Sequence, residues 1–288
     1  MKTNSLEYLI VLAKRYGFET HLYIDKLVVY FDTRVPESDL LRLKKRSKKN
    51  TLISPCTLEG YVHLSQKMEL FQLDDDTLKL LRRICESNGD YKINYMELVM
   101  DFSSKSQLKT DTLRQFFNKH LVNTGKSKGA KTSPYFKDDR GTHYYHELGP
   151  IRMVMYNSKT FRWDTSRFCV HLEHRYRGLN TLKTFGIVTA RDVVDFDHLA
   201  YWEKCLDLRK PNFKAIGEYV ANSDVSDNAL NKRGNRFFDR LNSLQEFLQM
   251  NPEQLTLFPS MDTDEALEKF FGRAFDLPYK QSELRLVS

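Results

Sequence analysis

The chain has 288 residues, 41% of them hydrophobic, which is enough for one large or two small domains with a sizeable core. Its four cysteines are widely spaced and form no CXXC pair, which argues against a thiolate zinc site and against a secreted disulfide scaffold. The excess of Lys and Arg over acidic residues, a net charge of +7, favours a polyanionic partner.

The N-terminal part predicts an alternation of helices and strands. Residues 1–17 contain a short apolar run bounded by Glu7 and Lys14, which predicts an amphipathic helix and not a signal peptide or a membrane span. The protein is therefore expected in the cytoplasm. Further elements are predicted in chain order as a strand-rich stretch at 20–32, a helix at 37–49, strands around 51–64, a helix at 75–87, a strand at 91–102, a helix at 110–121 and an extended segment at 142–146.

Two basic stretches are candidate DNA contacts. The first is the end of the helix at 37–49, where phosphate binding and a solvated helix end are about equally good interpretations. The second is the Gly-, Ser- and Lys-rich segment 124–133, which predicts a mobile basic loop. The candidate contacts are Lys44, Lys45, Arg46, Lys48 and Lys49 in the first stretch, and Lys126, Lys128 and Lys131 in the second.

Two predicted strands each place acidic residues on one face. In the strand 91–102, Glu97 and Asp101 point the same way, because strand side chains at even spacing share a face. In the strand 167–175 the same period puts His171, Glu173 and Arg175 on one face. These carboxylates and the histidine predict an oxygen-rich site for Mg²⁺ or Mn²⁺, with Glu97, Asp101, His171 and Glu173 as ligands.

Tyr156 lies in a third predicted strand, between the two acidic ones. A tyrosine hydroxyl is a poor nucleophile at its ordinary pKa of about 10, so it needs a cation or a base nearby. Lys159 and Arg152 are the nearest candidates in sequence. The combination of a tyrosine with a hard-metal site indicates phosphodiester chemistry.

The order of elements predicts an α+β fold, with a β-sheet that has helices on one face and the site on the other. We predict this α+β domain over residues 1–195. Helical periodicity follows at 196–208, 212–221, 228–249 and 262–275, with prolines as breaks, so a small helical C-terminal domain is predicted over 196–288.

These motifs together resemble the rolling-circle replication initiators, namely the gene II proteins of filamentous phages and the plasmid Rep_trans initiators. Tyr156 within residues 152–159 is similar to the nicking tyrosine of that family, with Lys159 soon after it. Residues 96–102 resemble the family's strand with two aspartates, residues 172–175 its Phe-Glu-X-Arg strand, and residues 177–186 the stretch that follows in the phage proteins.

The chain departs from the family pattern at three positions. Glu97 stands where the family has its first aspartate, and Tyr95 and His171 stand where it has arginines. The resemblance covers roughly residues 90–190 and rests on the order and spacing of the motifs, since each short strand pattern recurs by chance.

The resemblance implies a metal-dependent nick at an origin, a covalent bond between the tyrosine and the 5′ phosphate, and a free 3′ hydroxyl. Origin DNA, single-stranded or supercoiled, would be the substrate in a bacterial host cell, with Arg152 and Arg175 among its contacts. A host helicase and a second copy of the chain are further candidate partners.

Two other functions fit the same residues. A binding protein without chemistry would hold single strands on the basic loop and on Tyr144, Tyr145 and Phe168, and its binding would survive the loss of Tyr156 and of metal. A relaxase or transposase of a mobile element would use the same covalent step for a different biological purpose.

Overall fold

The computed structural model of the chain describes residues 5–46, 51–56, 63–123, 135–137, 143–146, 151–209, 212, 215, 218 and 268–276. The predicted basic loop and most of the predicted C-terminal helices lie outside the described residues. None of the helices in the described part is long and apolar enough to cross a membrane.

The centre of the described chain is an eight-stranded antiparallel sheet with the strand order β2-β3-β1-β4-β9-β8-β7-β6. Its strands are β1 (Glu19–Phe31), β2 (Leu52–Pro55), β3 (Gln66–Leu73), β4 (Tyr91–Ser104), β6 (Tyr135–Lys137), β7 (His143–His146), β8 (Ile151–Thr160) and β9 (Phe168–Arg177). Two short strands, β5 (Leu121–Asn123) and β10 (Leu206–Leu208), pair separately. The longest strands, β1 and β4, lie side by side in the middle of the sheet.

Seven α-helices accompany the sheet in the described ranges. They are α1 (Ser5–Arg15), α2 (Glu37–Arg46), α3 (Asp75–Ser87), α4 (Gln107–His120), α5 (Leu179–Thr184), α6 (Ala190–Val194) and α7 (His198–Cys205). A π-helical turn, Gly272–Asp276, follows four helical residues at 268–271. The mixture of helices with an antiparallel sheet confirms the predicted α+β class.

The main hydrophobic core lies between one face of the sheet and the helices. Alternate residues of β1, such as Leu27 and Val29, are fully buried in it, together with Leu9 of α1 and Phe117 of α4. Helix α4 packs across β4, β8 and β9, whereas α1 and α7 pack on β1. The strand residues that alternate with these buried residues point to the opposite face of the sheet, and this face carries the polar side chains.

Local sequence signals explain where the helices begin. The Asp74 carboxylate accepts a hydrogen bond from the Thr77 backbone N–H, 2.8 Å away, and so caps α3. At α6, Thr189 and Asp192 form a reciprocal capping box. The helix predicted at 75–87 is therefore confirmed at both ends.

Three parts of the described chain differ from the predicted elements. Strand β3 was not predicted, and it fills the gap between the strands around 51–64 and α3. The helix predicted over 196–208 is too long, because α7 ends at Cys205 and the next residues pair with β5. The helices α5 and α6 come before residue 195, where no helix was predicted.

A buried histidine connects the sheet to α7. His174 of β9 is 1% exposed, its ring stacks on Trp202, and its Nδ1 is 2.5 Å from the Tyr201 hydroxyl oxygen. Burial lowers the pKa of His174 to about 3. The neutral imidazole is thus part of the folded structure.

We expect His174 to make the protein less stable in mild acid. Its folded pKa lies below the unfolded value of about 6.5, so its contribution is constant above that pH and is lost as the pH falls toward 3. Between pH 6.5 and pH 5 the free energy of unfolding should drop by up to about 2 kcal/mol from this group. Urea unfolding at both pH values, compared with His174→Phe, measures the difference in slope.

Candidate active site

The strand register brings the predicted site residues onto the polar face of the sheet. In the β4–β9 pair, Asp101 lies opposite His171 and Glu97 lies opposite Arg175. In the β8–β9 pair, Tyr156 lies opposite His171. Residues that are far apart in sequence therefore form three adjacent rows of side chains on β4, β9 and β8.

The Tyr156 hydroxyl accepts a hydrogen bond from the guanidinium group of Arg175. Its ring centroid is 5.0 Å from that of His171. A guanidinium group against a phenolic oxygen favours the phenolate form. Among the described side chains, Arg175 is thus a cation at the tyrosine, which sequence proximity to Tyr156 did not indicate. For Lys159 the structure describes the backbone in β8 and not the side chain, so its role stays a prediction.

Among the described residues, the carboxylates of Asp25, Glu97 and Glu173 form an acidic cluster, in which one oxygen from each lies within 4.8 Å of the others. All three residues are buried. A set of three carboxylate oxygens is the donor chemistry of Mg²⁺ or Mn²⁺, since zinc sites recruit imidazole or thiolate. The residues present therefore fit a hard divalent cation.

Asp25 is the member of the acidic cluster that the sequence analysis missed. Between Ile24 and Lys26 the register of β1 against β4 shifts by one residue, which is a β-bulge with Asp25 as the extra residue. The bulge lets Asp25 join Glu97 on the polar face. Asp25 stands between the apolar residues Ile24 and Leu27, next to Lys26, and a buried carboxylate is rare without a partner, so this acidic residue within a strand was the available signal.

Arginine side chains offset the negative charge of the acidic cluster. Arg175 forms ion pairs with Glu173 and, at 3.7 Å, with Glu97, while Arg162 forms an ion pair with Asp25. The Tyr95 hydroxyl donates a hydrogen bond of 2.5 Å to Glu97. A buried charge needs such partners, so these contacts fix the carboxylates in place.

The pKa values of the two glutamate carboxyl groups are shifted in opposite directions. Burial, and then the charge of Glu173, raise the pKa of the Glu97 carboxyl. Burial alone would also raise the pKa of Glu173, but His171 and Arg175 hold it at about 2. A bound cation would relieve the repulsion between the Glu97 and Glu173 carboxylates.

Asp101 and His171 form a second group beside the acidic cluster. His171 Nδ1 is 2.6 Å from an Asp101 oxygen, and its Nε2 is 3.1 Å from a Glu173 oxygen. The second Asp101 oxygen accepts a hydrogen bond of 2.8 Å from Tyr23. Burial disfavours the imidazolium, yet Asp101 and Glu173 raise the pKa of His171 to about 9.

These hydrogen bonds connect Asp101 through His171 to Glu173 and fix the position of the Glu173 carboxylate. Direct metal ligation by either residue stays a prediction from the sequence.

A cavity of about 160 Å³ opens between these groups. Its lining consists of Tyr23, Asp25, Asp101, Tyr156, Thr160, Arg162, Cys169, His171 and Glu173. The cavity thus brings a phenolic oxygen, carboxylates and a guanidinium group to one small polar space, which is sufficient for one phosphate group and its neighbouring atoms.

The predicted DNA contacts are distributed over the molecule. Arg152 is exposed on the polar face and lies opposite Arg175. Lys44, Lys45 and Arg46 are exposed at the end of α2, where Arg46 lies 3.6 Å from an Asp76 oxygen. The remaining candidates, Lys48, Lys49, Lys126, Lys128 and Lys131, lie outside the described residues.

No protein family and no curated protein matches the chain. Among solved structures, the chain is similar to a rolling circle replication initiator protein from Geobacillus stearothermophilus, with 11% identity and a TM-score of 0.38, over 90% of this chain and 97% of that one. A second similarity is to a putative C-terminal regulatory domain of aspartate kinase from Porphyromonas gingivalis W83, with 8% identity and a TM-score of 0.18, over 62% of this chain and 98% of that one.

Proposed function

We propose that the chain is a metal-dependent, tyrosine-linked DNA nicking and joining enzyme that initiates rolling-circle replication. The observation that carries this proposal is the contact of the Tyr156 hydroxyl with Arg175, whose guanidinium group also pairs with Glu173 and Glu97 of the acidic cluster. A nucleophile that is fixed by a hydrogen bond next to a site for a hard cation is suited to phosphodiester transfer. The motif order around Tyr156 supports the same function.

In the proposed reaction the Tyr156 oxygen attacks the phosphorus of a phosphodiester. The new bond joins the tyrosine to the 5′ phosphate, and the bond from phosphorus to the 3′ oxygen breaks. The tyrosine loses one proton and the 3′ oxygen gains one, so the reaction is neutral in protons and consumes no water. The energy of the broken bond is kept in the phosphotyrosine, which permits the reverse attack and rejoining.

Residues around the tyrosine have distinct functions in this reaction. Arg175 stabilises the phenolate, and Asp101 with His171 positions Glu173. Lys159, which directly precedes Thr160 in β8, is proposed as a second cation near the phosphate. Asp25, Glu97 and Glu173 would hold the divalent cation, Mg²⁺ or Mn²⁺. When bound, the cation supplies positive charge to a phosphate oxygen.

The substrate strand is proposed to cross the polar face of the sheet. Arg152 extends the row of positive charge from Arg175 along this face. Lys44 and Lys45 at the exposed end of α2 are proposed as further phosphate contacts away from this face. Contacts of these residues with phosphates would release counterions and make the binding depend on salt.

The test of the proposed function is the recovery of a covalent protein–DNA complex. The protein is mixed with supercoiled plasmid carrying the DNA that flanks its own gene, with Mg²⁺, with Mn²⁺ or with EDTA, and is then denatured. We expect nicked plasmid with protein attached to the 5′ end in the presence of metal and none with EDTA. DNA binding without a nick in any metal would favour the binding-protein function instead.

We expect Arg175→Gln to slow adduct formation about a hundredfold, because it removes the charge that favours the phenolate. Arg152→Gln is the matched control, since it removes an arginine from the opposite position of the same strand pair. The control should lower the affinity for all DNA sequences alike and reduce the salt dependence by about one unit of slope. Quench-flow measurement of adduct at saturating DNA separates the two effects, and equal rates of adduct formation for the two variants would argue against a role of Arg175 at the tyrosine.

A further inference from the structure

The turn between β8 and β9 reaches across the polar face of the sheet to β1, although β4 lies between β9 and β1. Its base is closed by a hydrogen bond of 2.6 Å from the Phe161 N–H to the Arg167 carbonyl oxygen. Two rings of the turn pack on rings of β1, and the arginine between them forms an ion pair with the same strand. The contacts are Phe161 with His21, Arg162 with Asp25, and Trp163 with Tyr23. The two ring contacts therefore fix where Arg162 enters the site.

The Arg162 guanidinium group and a divalent cation would use the same carboxylate. Asp25 is 7% exposed, and one of its oxygens lies within 4.8 Å of an oxygen of Glu97 and of an oxygen of Glu173. The ion pair with Arg162 offsets the negative charge of Asp25, which a buried carboxylate requires. A divalent cation held by the three carboxylates would offset that charge instead, and it would repel the guanidinium group. Cation binding therefore weakens the contact between Arg162 and Asp25.

The cavity beside the acidic cluster gives the Arg162 guanidinium group a second position. Arg162 lines this cavity together with Tyr156 and Thr160, so the path from Asp25 to the tyrosine crosses no other element. The Arg162 side chain is 25% exposed, whereas that of Asp25 is 10% exposed. A guanidinium group has a planar fork of donors that matches two oxygens of a phosphate. A phosphodiester placed at Tyr156 would therefore lie within reach of Arg162.

We propose that Arg162 is a phosphate-binding residue that pairs with Asp25 in the metal-free protein and moves to the reacting phosphate when the divalent cation binds. The phosphate part of this inference rests on the proposed function. The exchange leaves Asp25 with a positive partner before and after it, and no covalent bond changes. The phosphate gains its guanidinium contact only in the metal-loaded protein. Arg162 thus makes firm binding of the reacting phosphate conditional on the cation.

The first test is isothermal titration of the free protein with Mn²⁺, without DNA. We expect Arg162→Gln to raise the affinity for Mn²⁺ about tenfold, because the cation no longer displaces a guanidinium group or meets its repulsion. A residue that only positioned Asp25 as a ligand would give the opposite sign, a loss of about ten- to a hundredfold. Arg177→Gln is the matched control, since it also removes one positive charge, at the exposed end of β9. The control should stay within about twofold of wild type.

The second test measures DNA binding with and without the cation. A labelled oligothymidine is titrated with Tyr156→Phe protein and with the double variant Tyr156→Phe, Arg162→Gln, and its fluorescence anisotropy is recorded. In EDTA the two proteins should bind within about twofold of each other, because Arg162 is held by Asp25. With saturating Mg²⁺ the double variant should bind about tenfold more weakly, since it lacks a charged hydrogen-bond donor to the phosphate. The melting temperature of each protein shows that it is folded.

Two results would overturn the inference: an affinity for Mn²⁺ that is unchanged or lower in Arg162→Gln, or a loss of DNA affinity that is the same in EDTA and in Mg²⁺. The failure of the proposed function would look different, because the wild-type protein would then form no covalent complex, whereas neither binding test involves cleavage. Conversely, a covalent complex formed by the wild type, together with either of the two contrary binding results, would leave the proposed function intact and reject the exchange at Arg162.

Discussion

Tyr156→Phe is expected to abolish the covalent protein–DNA complex while DNA binding stays within about twofold of wild type. The substitution removes the attacking oxygen and keeps the ring that packs beside His171. Removing the nucleophile of a covalent enzyme lowers its rate by about a thousandfold or more. The measurement combines the gel assay for the denatured complex with fluorescence anisotropy of a labelled origin strand.

Tyr95→Phe is the control for this prediction. It also removes one hydroxyl beside the acidic cluster, where Tyr95 donates to Glu97. We expect this variant to form the complex at a reduced rate, because Glu97 loses a hydrogen bond but the nucleophile is kept. Digestion of the wild-type complex and mass spectrometry of the DNA-linked peptide should locate the nucleotide on Tyr156. A complex formed by Tyr156→Phe, or a nucleotide on another residue, would show that Tyr156 is not the nucleophile.

Strand periodicity was sufficient to predict much of the polar face. The period of two put His171, Glu173 and Arg175 together, and the same rule put Glu97 with Asp101. The structure places these rows on adjacent strands. Such information is local, since each strand contains its own alternation.

The missing parts of the site depend on contacts between distant segments. Asp25 enters the acidic cluster through a β-bulge, which is an irregularity in how β1 meets β4, some seventy residues later in the chain, and no local pattern specifies it. Arg175 reaches Tyr156 across the β8–β9 pair, whereas sequence proximity pointed to Arg152 and Lys159. Register between strands decides which charged groups meet, and register depends on the whole sheet.

Dependence on contacts between distant segments also explains where the fold differs from the elements predicted from the sequence. Strand β3 carries Glu69 between apolar residues. Glu69 forms ion pairs with Lys67 of the same strand and, at 2.6 Å, with Lys26 of β1, so one of its two partners lies outside the strand's own sequence. Strand β10 pairs with β5, which ends the preceding helix earlier than its apolar pattern predicts. In both places tertiary pairing overrides local propensity.

Mn²⁺ binding distinguishes two possible sets of metal ligands. The sequence indicated Glu97, Asp101, His171 and Glu173, whereas the structure groups Asp25 with Glu97 and Glu173. We expect Asp25→Asn and Glu173→Gln each to lower the affinity for Mn²⁺ by more than about a hundredfold. Asp101→Asn should lower it by about tenfold or less, which is at the lower end for a residue that positions a ligand.

Isothermal titration of the free protein with Mn²⁺ alone measures these affinities without DNA or catalysis. Asp25→Asn and Asp101→Asn form a matched pair, because both residues are buried aspartates on the polar face and each variant removes one charge. A larger loss in Asp101→Asn than in Asp25→Asn would restore the ligand set indicated by the sequence. The structure favours the opposite order, since both oxygens of Asp101 are already engaged, one with His171 and one with Tyr23, whereas an oxygen of Asp25 lies within reach of both glutamates. A cation that binds where three buried carboxylates converge also relieves their mutual repulsion, and Asp101 stands outside that convergence.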